Sequence, residues 1–154
     1  MVKVMNYEEA LNNVYDLVKK HVNLFSNNAY NVSILPGWIP LVDGLLDTVQ
    51  RELKENERFQ IVEIKEKFGS LRIYFGTSGI NQDRLRVFYS LVAIAERLSE
   101  KVCILCGDTG KLVSTGWITT KCDQHVGIRL PFDDYSVCAF AKHDDRMMEL
   151  LKLS

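Results

Sequence analysis

Phe59-Gln60-Ile61-Val62-Glu63-Ile64-Lys65-Glu66-Lys67-Phe68-Gly69-Ser70-Leu71-Arg72-Ile73-Tyr74-Phe75 is the stretch on which the fold class turns. It is rich in β-branched and aromatic residues, and Leu71, Ile73 and Phe75 alternate with Arg72 and Tyr74. That period of two belongs to a half-buried strand. Phe68-Gly69-Ser70 divides the stretch, and Gly69 is free to take the positive φ of a hairpin turn. A two-stranded hairpin is marginal alone, so this one must lie against helices or gain a third strand.

The flanks change to a helical period. Upstream, Trp38, Leu41, Leu45, Val49 and Leu53 line one face of a helix expected over 38–54, with Pro40 tolerable in its first turn. Further upstream, Tyr7, Leu11, Val14, Val18, His21 and Phe25 recur at steps of three and four. Asn6, with Glu9 three residues on, is placed to cap that first helix, and Ser26-Asn27-Asn28 ends it. Residues 29–37 read as a loop closing on Pro36-Gly37. Downstream, Leu85, Phe88, Leu91, Val92, Ala95 and Leu98 predict a third helix over 82–101. A short helix is expected from Asp144, where Met147, Met148, Leu150 and Leu151 cluster.

The expected architecture is α+β: helices packed on a small antiparallel β-hairpin, followed by a C-terminal zinc-ribbon or treble-clef-like module. Residues 1–154 read as a single domain, with a body over 1–102, a zinc module over 103–128 and a C-terminal loop and helix over 129–154.

The bulk numbers narrow the function classes. The 154 residues are 47% hydrophobic and 25% charged, an ordinary globular balance. The 19 basic groups divide 6, 7 and 6 over residues 1–58, 59–102 and 103–154, and the 20 acidic groups divide 8, 5 and 7. No third is basic enough to act as an electrostatic funnel for nucleic acid. No segment approaches the roughly 20 apolar residues needed to span a bilayer. The opening MVKVMNYEEA has no apolar signal region, so the expected compartment is the cytoplasm. There disulfides are rare, and clustered cysteines point to metal or catalysis.

Cys103-Ile104-Leu105-Cys106-Gly107 and Cys122-Asp123-Gln124-His125 supply two ligand pairs, each with two residues between ligands. That interval lets one tight turn aim both ligands at one ion, with Gly107 and Gly110 closing the turn. The insert from Lys111 to Thr120 reads as strand, turn at Gly116 and strand, returning the second pair to the first. Three thiolates and an imidazole suit one tetrahedral Zn²⁺. Four filled positions leave no site for water, so the ion is expected to be structural.

Three blocks taken together carry a resemblance: Pro36-Gly37-Trp38 opening a helix, Lys65-Glu66-Lys67-Phe68-Gly69-Ser70-Leu71-Arg72, and the CxxCG…W…CxxH module. The chain resembles a group of small uncharacterised proteins of phages, prophages and bacteria that share a KEKFGxLR-like hairpin followed by a cysteine-rich zinc module. The resemblance spans roughly residues 36–126 and implies zinc binding and a phage-related context, but no activity.

Other candidates are weaker. Lys65, Lys67 and Arg72 could grip phosphate or an acidic partner, against the alternative of a solvated strand face with cross-strand ion pairs. Trp117 either packs beside the zinc hairpin or stacks on a ligand; Trp38 reads as a core anchor. His21 reads as a packed histidine. Cys138 with His143, and the pairs Asp133-Asp134 and Asp144-Asp145, make no convincing nucleophile or second metal site, and no catalytic residue is assigned. The first expectation is therefore a zinc-stabilised protein-binding module, a phage-encoded factor acting on a bacterial host protein in the host cytoplasm. The second is a nucleic-acid-binding zinc protein in which Lys65, Lys67, Arg72 and Lys121 share one face. The third, a zinc-containing nuclease, needs an open ligand position that the sequence does not offer.

Overall fold

A computed structural model describes residues 7–26, 30–114, 118–127 and, for the backbone, 138–140. The elements are α1 (Tyr7–Lys20), a 3-10 turn (Val22–Leu24), β1 (Asn31–Ser33), a second 3-10 turn (Pro36–Trp38), α2 (Ile39–Glu52), β2 (Arg58–Lys67), β3 (Ser70–Ser78), α3 (Gln82–Ser99), β4 (Lys111–Val113), β5 (Thr119–Lys121) and β6 (Cys138–Phe140).

The architecture is mixed α+β, as the periods predicted, but the sheet is larger than a hairpin and is not purely antiparallel. Its strand order is β3-β2-β1-β6. β1 lies parallel to β2, with Val32 opposite Ile64, and antiparallel to β6, with Val32 opposite Ala139. Both short strands fall in stretches read as loop. Their pairing is long-range, and three residues are too few to display a period. The added strands answer the marginal stability of a lone hairpin. The Asn6 cap and the helix expected from Asp144 fall outside the described residues.

Alternation along the strands decides what faces the helices. Phe59, Ile61, Ile64, Leu71 and Ile73 are buried with Val32, while Lys65 stands opposite Arg72 and Glu63 opposite Tyr74 on the other face. α3 and α2 supply Phe88, Val92, Ala95, Val42, Leu46 and Val49 to the same core. Phe59 stacks on Phe75 with ring centres 4.4 Å apart and leans on Phe88. Asn81 caps α3 by accepting from the Arg84 amide.

Two polar ties hold the layers in register. The Leu71 amide donates to Ser99 Oγ at 2.8 Å, at a point with no solvent access for Ser99. Ser99→Ala leaves that amide unpaired and is expected to cost about 1–3 kcal/mol, read as a lower denaturant midpoint at unchanged slope. At the opposite end, Arg84 grips Glu57 at 2.7 Å and also donates to the Glu52 carbonyl. The Arg84 guanidinium holds the Glu57 carboxyl below its usual range. A depressed carboxylate contributes stability above its unfolded value, and that contribution is lost as pH falls through the lower folded value. Below about pH 4 the wild type should therefore lose stability more steeply than Arg84→Met, in which only the Lys54 amide still holds the Glu57 carboxyl down. Matching acid-melting profiles for the two proteins would remove the linkage.

Candidate metal centre

The ligand-bearing segment begins where α3 ends. The indole N–H of Trp38, itself fully buried, donates to the Val102 carbonyl at 2.9 Å and fixes the residue before the first ligand. The turn that follows is closed by Gly107 amide to Cys103 carbonyl, 2.9 Å, and Cys103 amide to Asp108 carbonyl, 2.7 Å. Gly107 takes a φ of 82°, a value that favours glycine. Gly110 is required for space: a Cβ there would stand 2.9 Å from the Cys103 nitrogen. β4 and β5 then pair antiparallel, with Leu112 opposite Thr120. The Ile104 amide donates to the Thr120 carbonyl, which seats the first turn on the hairpin.

The result gathers Cys103, Cys106, Cys122 and His125 so that their ligand atoms all lie within 4.8 Å of one another. Cys103 Sγ is 3.6 Å from His125 Nδ1, Cys122 Sγ is 3.1 Å from the same nitrogen, and Cys106 Sγ is 3.7 Å from Cys122 Sγ. These three cysteines are not disulfide-bonded. Cys103, Cys122 and His125 are buried, while Cys106 is exposed. Burial alone would push the Cys103 thiol up, but the amides of Cys122, Cys106 and Leu105 directed at its sulfur outweigh burial and hold it below the ordinary thiol range. Burial, with the neighbouring sulfurs, pushes the Cys106 thiol up. Three sulfurs and an imidazole nitrogen gathered at one point are suited to a cation between them. The sequence spacing thus predicted a set of residues that the fold brings together as one potential metal site.

The body holds this segment by backbone contact. Gly37 donates from its amide to the Ile104 carbonyl at 2.8 Å. Thr120 Oγ1 donates to the Gly69 carbonyl at 2.6 Å, which ties the hairpin tip of β2–β3 to β5.

The other site candidates separate. Lys65 and Arg72 are cross-strand neighbours on the face away from the helices; Lys65 pairs with Glu63 at 3.3 Å and lies over the Tyr74 ring. Lys67 lies over the Phe68 ring. Lys121 does not join them: it is buried, and burial lowers its pKa. The expectation that Lys121 shares an exposed basic face is therefore corrected, because β5 turns that side chain inward. Trp117, His143, Asp133, Asp134, Asp144, Asp145 and the Cys138 side chain lie outside the described residues.

His21 is packed, as read, but its partners were not foreseen. Its Nε2 lies 2.6 Å from Asp43 Oδ1, and Asp47 is adjacent. Asp43 and Asp47, four residues apart on α2, share a face, and that spacing was the available signal. Lys20 Nζ reaches both carboxylates, at 2.9 Å and 3.4 Å. The hydrogen bond from His21, then Lys20, hold Asp43 below its usual range. With an ammonium already between the carboxylates, the cluster is an ionic tie between α1 and α2.

Among the described residues no helix is long and apolar enough to cross a membrane. Comparison of the chain with family models, with curated proteins and with solved structures found no match.

Proposed function

We propose that Cys103, Cys106, Cys122 and His125 hold one structural Zn²⁺ in a ribbon-like or treble-clef-like module, and that the chain is a small zinc-stabilised protein-binding module. Bonds of about 2.3 Å to sulfur and about 2.0–2.1 Å to nitrogen, at tetrahedral angles, separate two sulfurs by about 3.8 Å and a sulfur from a nitrogen by about 3.6 Å. The 3.7 Å and 3.6 Å edges fit that figure, and the Cys122–His125 edge is the short one at 3.1 Å. Nδ1 of His125 faces the sulfurs of Cys103 and Cys122. Three thiolates and an imidazole complete the coordination, which favours a structural over a hydrolytic ion.

The observation that carries the binding reading is the set of large apolar side chains left in solvent. Phe68, Leu112, Ile94 and Leu98 are all about half exposed or more. They fall in two groups: Leu112 lies against Gly69 beside Phe68, and Ile94 and Leu98 line one groove with Leu41 and Leu91. Contiguous apolar surface of this kind supports a protein contact. With the phage-related resemblance, this supports a phage-encoded factor acting on a bacterial host protein, in anti-defence or host take-over, inside the host cytoplasm.

A nucleic-acid-binding reading rests on one observation: Lys65, Arg72 and Tyr74 share a sheet face. Glu63 neutralises part of that face and Lys121 is absent from it. The deciding experiment is a tagged pull-down from bacterial lysate, with and without nuclease, analysed by mass spectrometry. A discrete protein that survives nuclease is the expected result. An eluate whose partners vanish with nuclease would transfer the function to nucleic acid.

A further inference from the structure

The β2–β3 turn breaks a local rule without any structural gain. A two-residue turn with positive φ at both central positions favours Asn, Asp or Gly, because a Cβ there crowds a carbonyl oxygen, which Gly avoids and Asn and Asp offset by local hydrogen bonds. Here Gly69 occupies the second position with φ 83°, and Phe68 occupies the first with φ 53°. Phe68 is 69% exposed, more than any other large hydrophobic residue among those described. It lies outside the core cluster, and the Lys67 ammonium stands 5.6 Å from the centre of its ring. A strained, solvated aromatic is the kind of residue retained for a contact outside the molecule.

The turn that presents it is held rigid. Glu66 Oε1 accepts from the Gly69 amide at 2.6 Å, and Thr120 Oγ1 donates to the Gly69 carbonyl at 2.6 Å. Leu112 on β4, 56% exposed, reaches the same point: its Cδ1 lies 2.4 Å from where a Gly69 Cβ would stand. Phe68 and Leu112 therefore flank Gly69 as an apolar knob built from two segments distant in sequence. β4 lies between the two ligand pairs, so the knob is complete only while the metal module is folded. Its surroundings carry a small positive excess. Lys111 is paired with Asp123 and Lys65 with Glu63, which leaves Lys67 and Arg72 against the one carboxylate of Glu66, itself turned to the Gly69 amide. Among the described residues, no carboxylate pairs with Lys67 or Arg72.

We infer that Phe68, with Leu112 beside it and Lys67 and Arg72 around it, anchors the protein to an apolar pocket rimmed by carboxylates on a partner protein. This rests on the protein-binding reading and names the surface that would perform it. A pre-organised aromatic anchor in a pocket is the usual form of a binding hot spot.

The test pans the zinc-loaded full chain against a displayed library of random linear peptides, beside a thymidine oligonucleotide. Phe68→Asn suits the turn, so its zinc content and melting temperature should equal or exceed those of the wild type. Enriched peptides should carry an aromatic or branched aliphatic residue next to Asp or Glu. They should bind Phe68→Asn about thirty-fold more weakly, the loss expected of a hot spot, and should be released by chelation. Peptides that bind Phe68→Asn as well as wild type would overturn the anchor while leaving a protein-binding module. A steep fall in melting for Phe68→Asn would show Phe68 to be structural and overturn it as well. Failure to enrich peptides overturns the anchor, and Phe68-dependent binding of the oligonucleotide would overturn both the anchor and the protein-binding reading.

Discussion

Removal of the proposed zinc ion should unfold the β4–β5 hairpin and loosen the body that rests on it. A structural zinc contributes on the order of 10 kcal/mol of apparent binding free energy, comparable to the whole stability of a domain this size. Neither β4 nor β5 can replace it, because a two-stranded hairpin is marginal alone. Loss would spread through three contacts: Ile104 with Gly37, Val102 with the Trp38 indole, and Thr120 with the Gly69 carbonyl. Cys106→Ser is the informative variant. Cys106 is the exposed member of the candidate set, so its replacement opens no core cavity and the effect would report the ion. Zinc content by atomic emission should fall, and melting followed by circular dichroism should drop or lose cooperativity. A Cys106→Ser protein with a full complement of zinc and unchanged melting would sink the metal assignment.

Gly37→Ala should cost more than about 3 kcal/mol, above the common range for overpacking. A Cβ on Gly37 would stand 2.1 Å from the Cys103 carbonyl oxygen and 2.6 Å from the Ile104 carbonyl carbon and oxygen. Those are main-chain atoms of the ligand turn and cannot swing away as a flexible side chain could. Either α2 or the metal turn must move, and the Gly37 amide then loses its bond to Ile104. The matched control is Gly44→Ala, on the exposed side of α2, where a Cβ meets nothing within 4 Å. It should stabilise the helix by about 0.5–1 kcal/mol. Denaturant unfolding of the two variants should move in opposite directions; a Gly37→Ala midpoint close to wild type would mean the two segments do not pack as described.

Much of the molecule was legible because much of it is local. The apolar stripe over Val14, Val18, His21 and Phe25 is buried as its spacing requires, although α1 ends at Lys20 and a 3-10 turn carries the chain on to Phe25. Trp38 is the core anchor it was read to be, with its indole nitrogen satisfied by Val102. The two pairs of candidate ligands were visible because two intervening residues let one tight turn bring both side chains to the same point.

The sequence alone determined the helical faces, the β2–β3 hairpin and the four candidate ligands, since each is encoded by a period or spacing within a few residues. The tertiary structure alone decided the rest. β1 and β6 exist because each finds a partner across the chain, and three residues display no period of their own. Gly37 reads in the sequence as a turn residue; only the approach of residues 103–104 shows that it is there for lack of a Cβ. Lys121 looked like part of an exposed basic face until β5 turned it inward, and His21 acquired Asp43 only when α2 came to lie beside α1. Each of these depends on which distant backbone arrives at a given point, and that is settled by the packing of the whole chain.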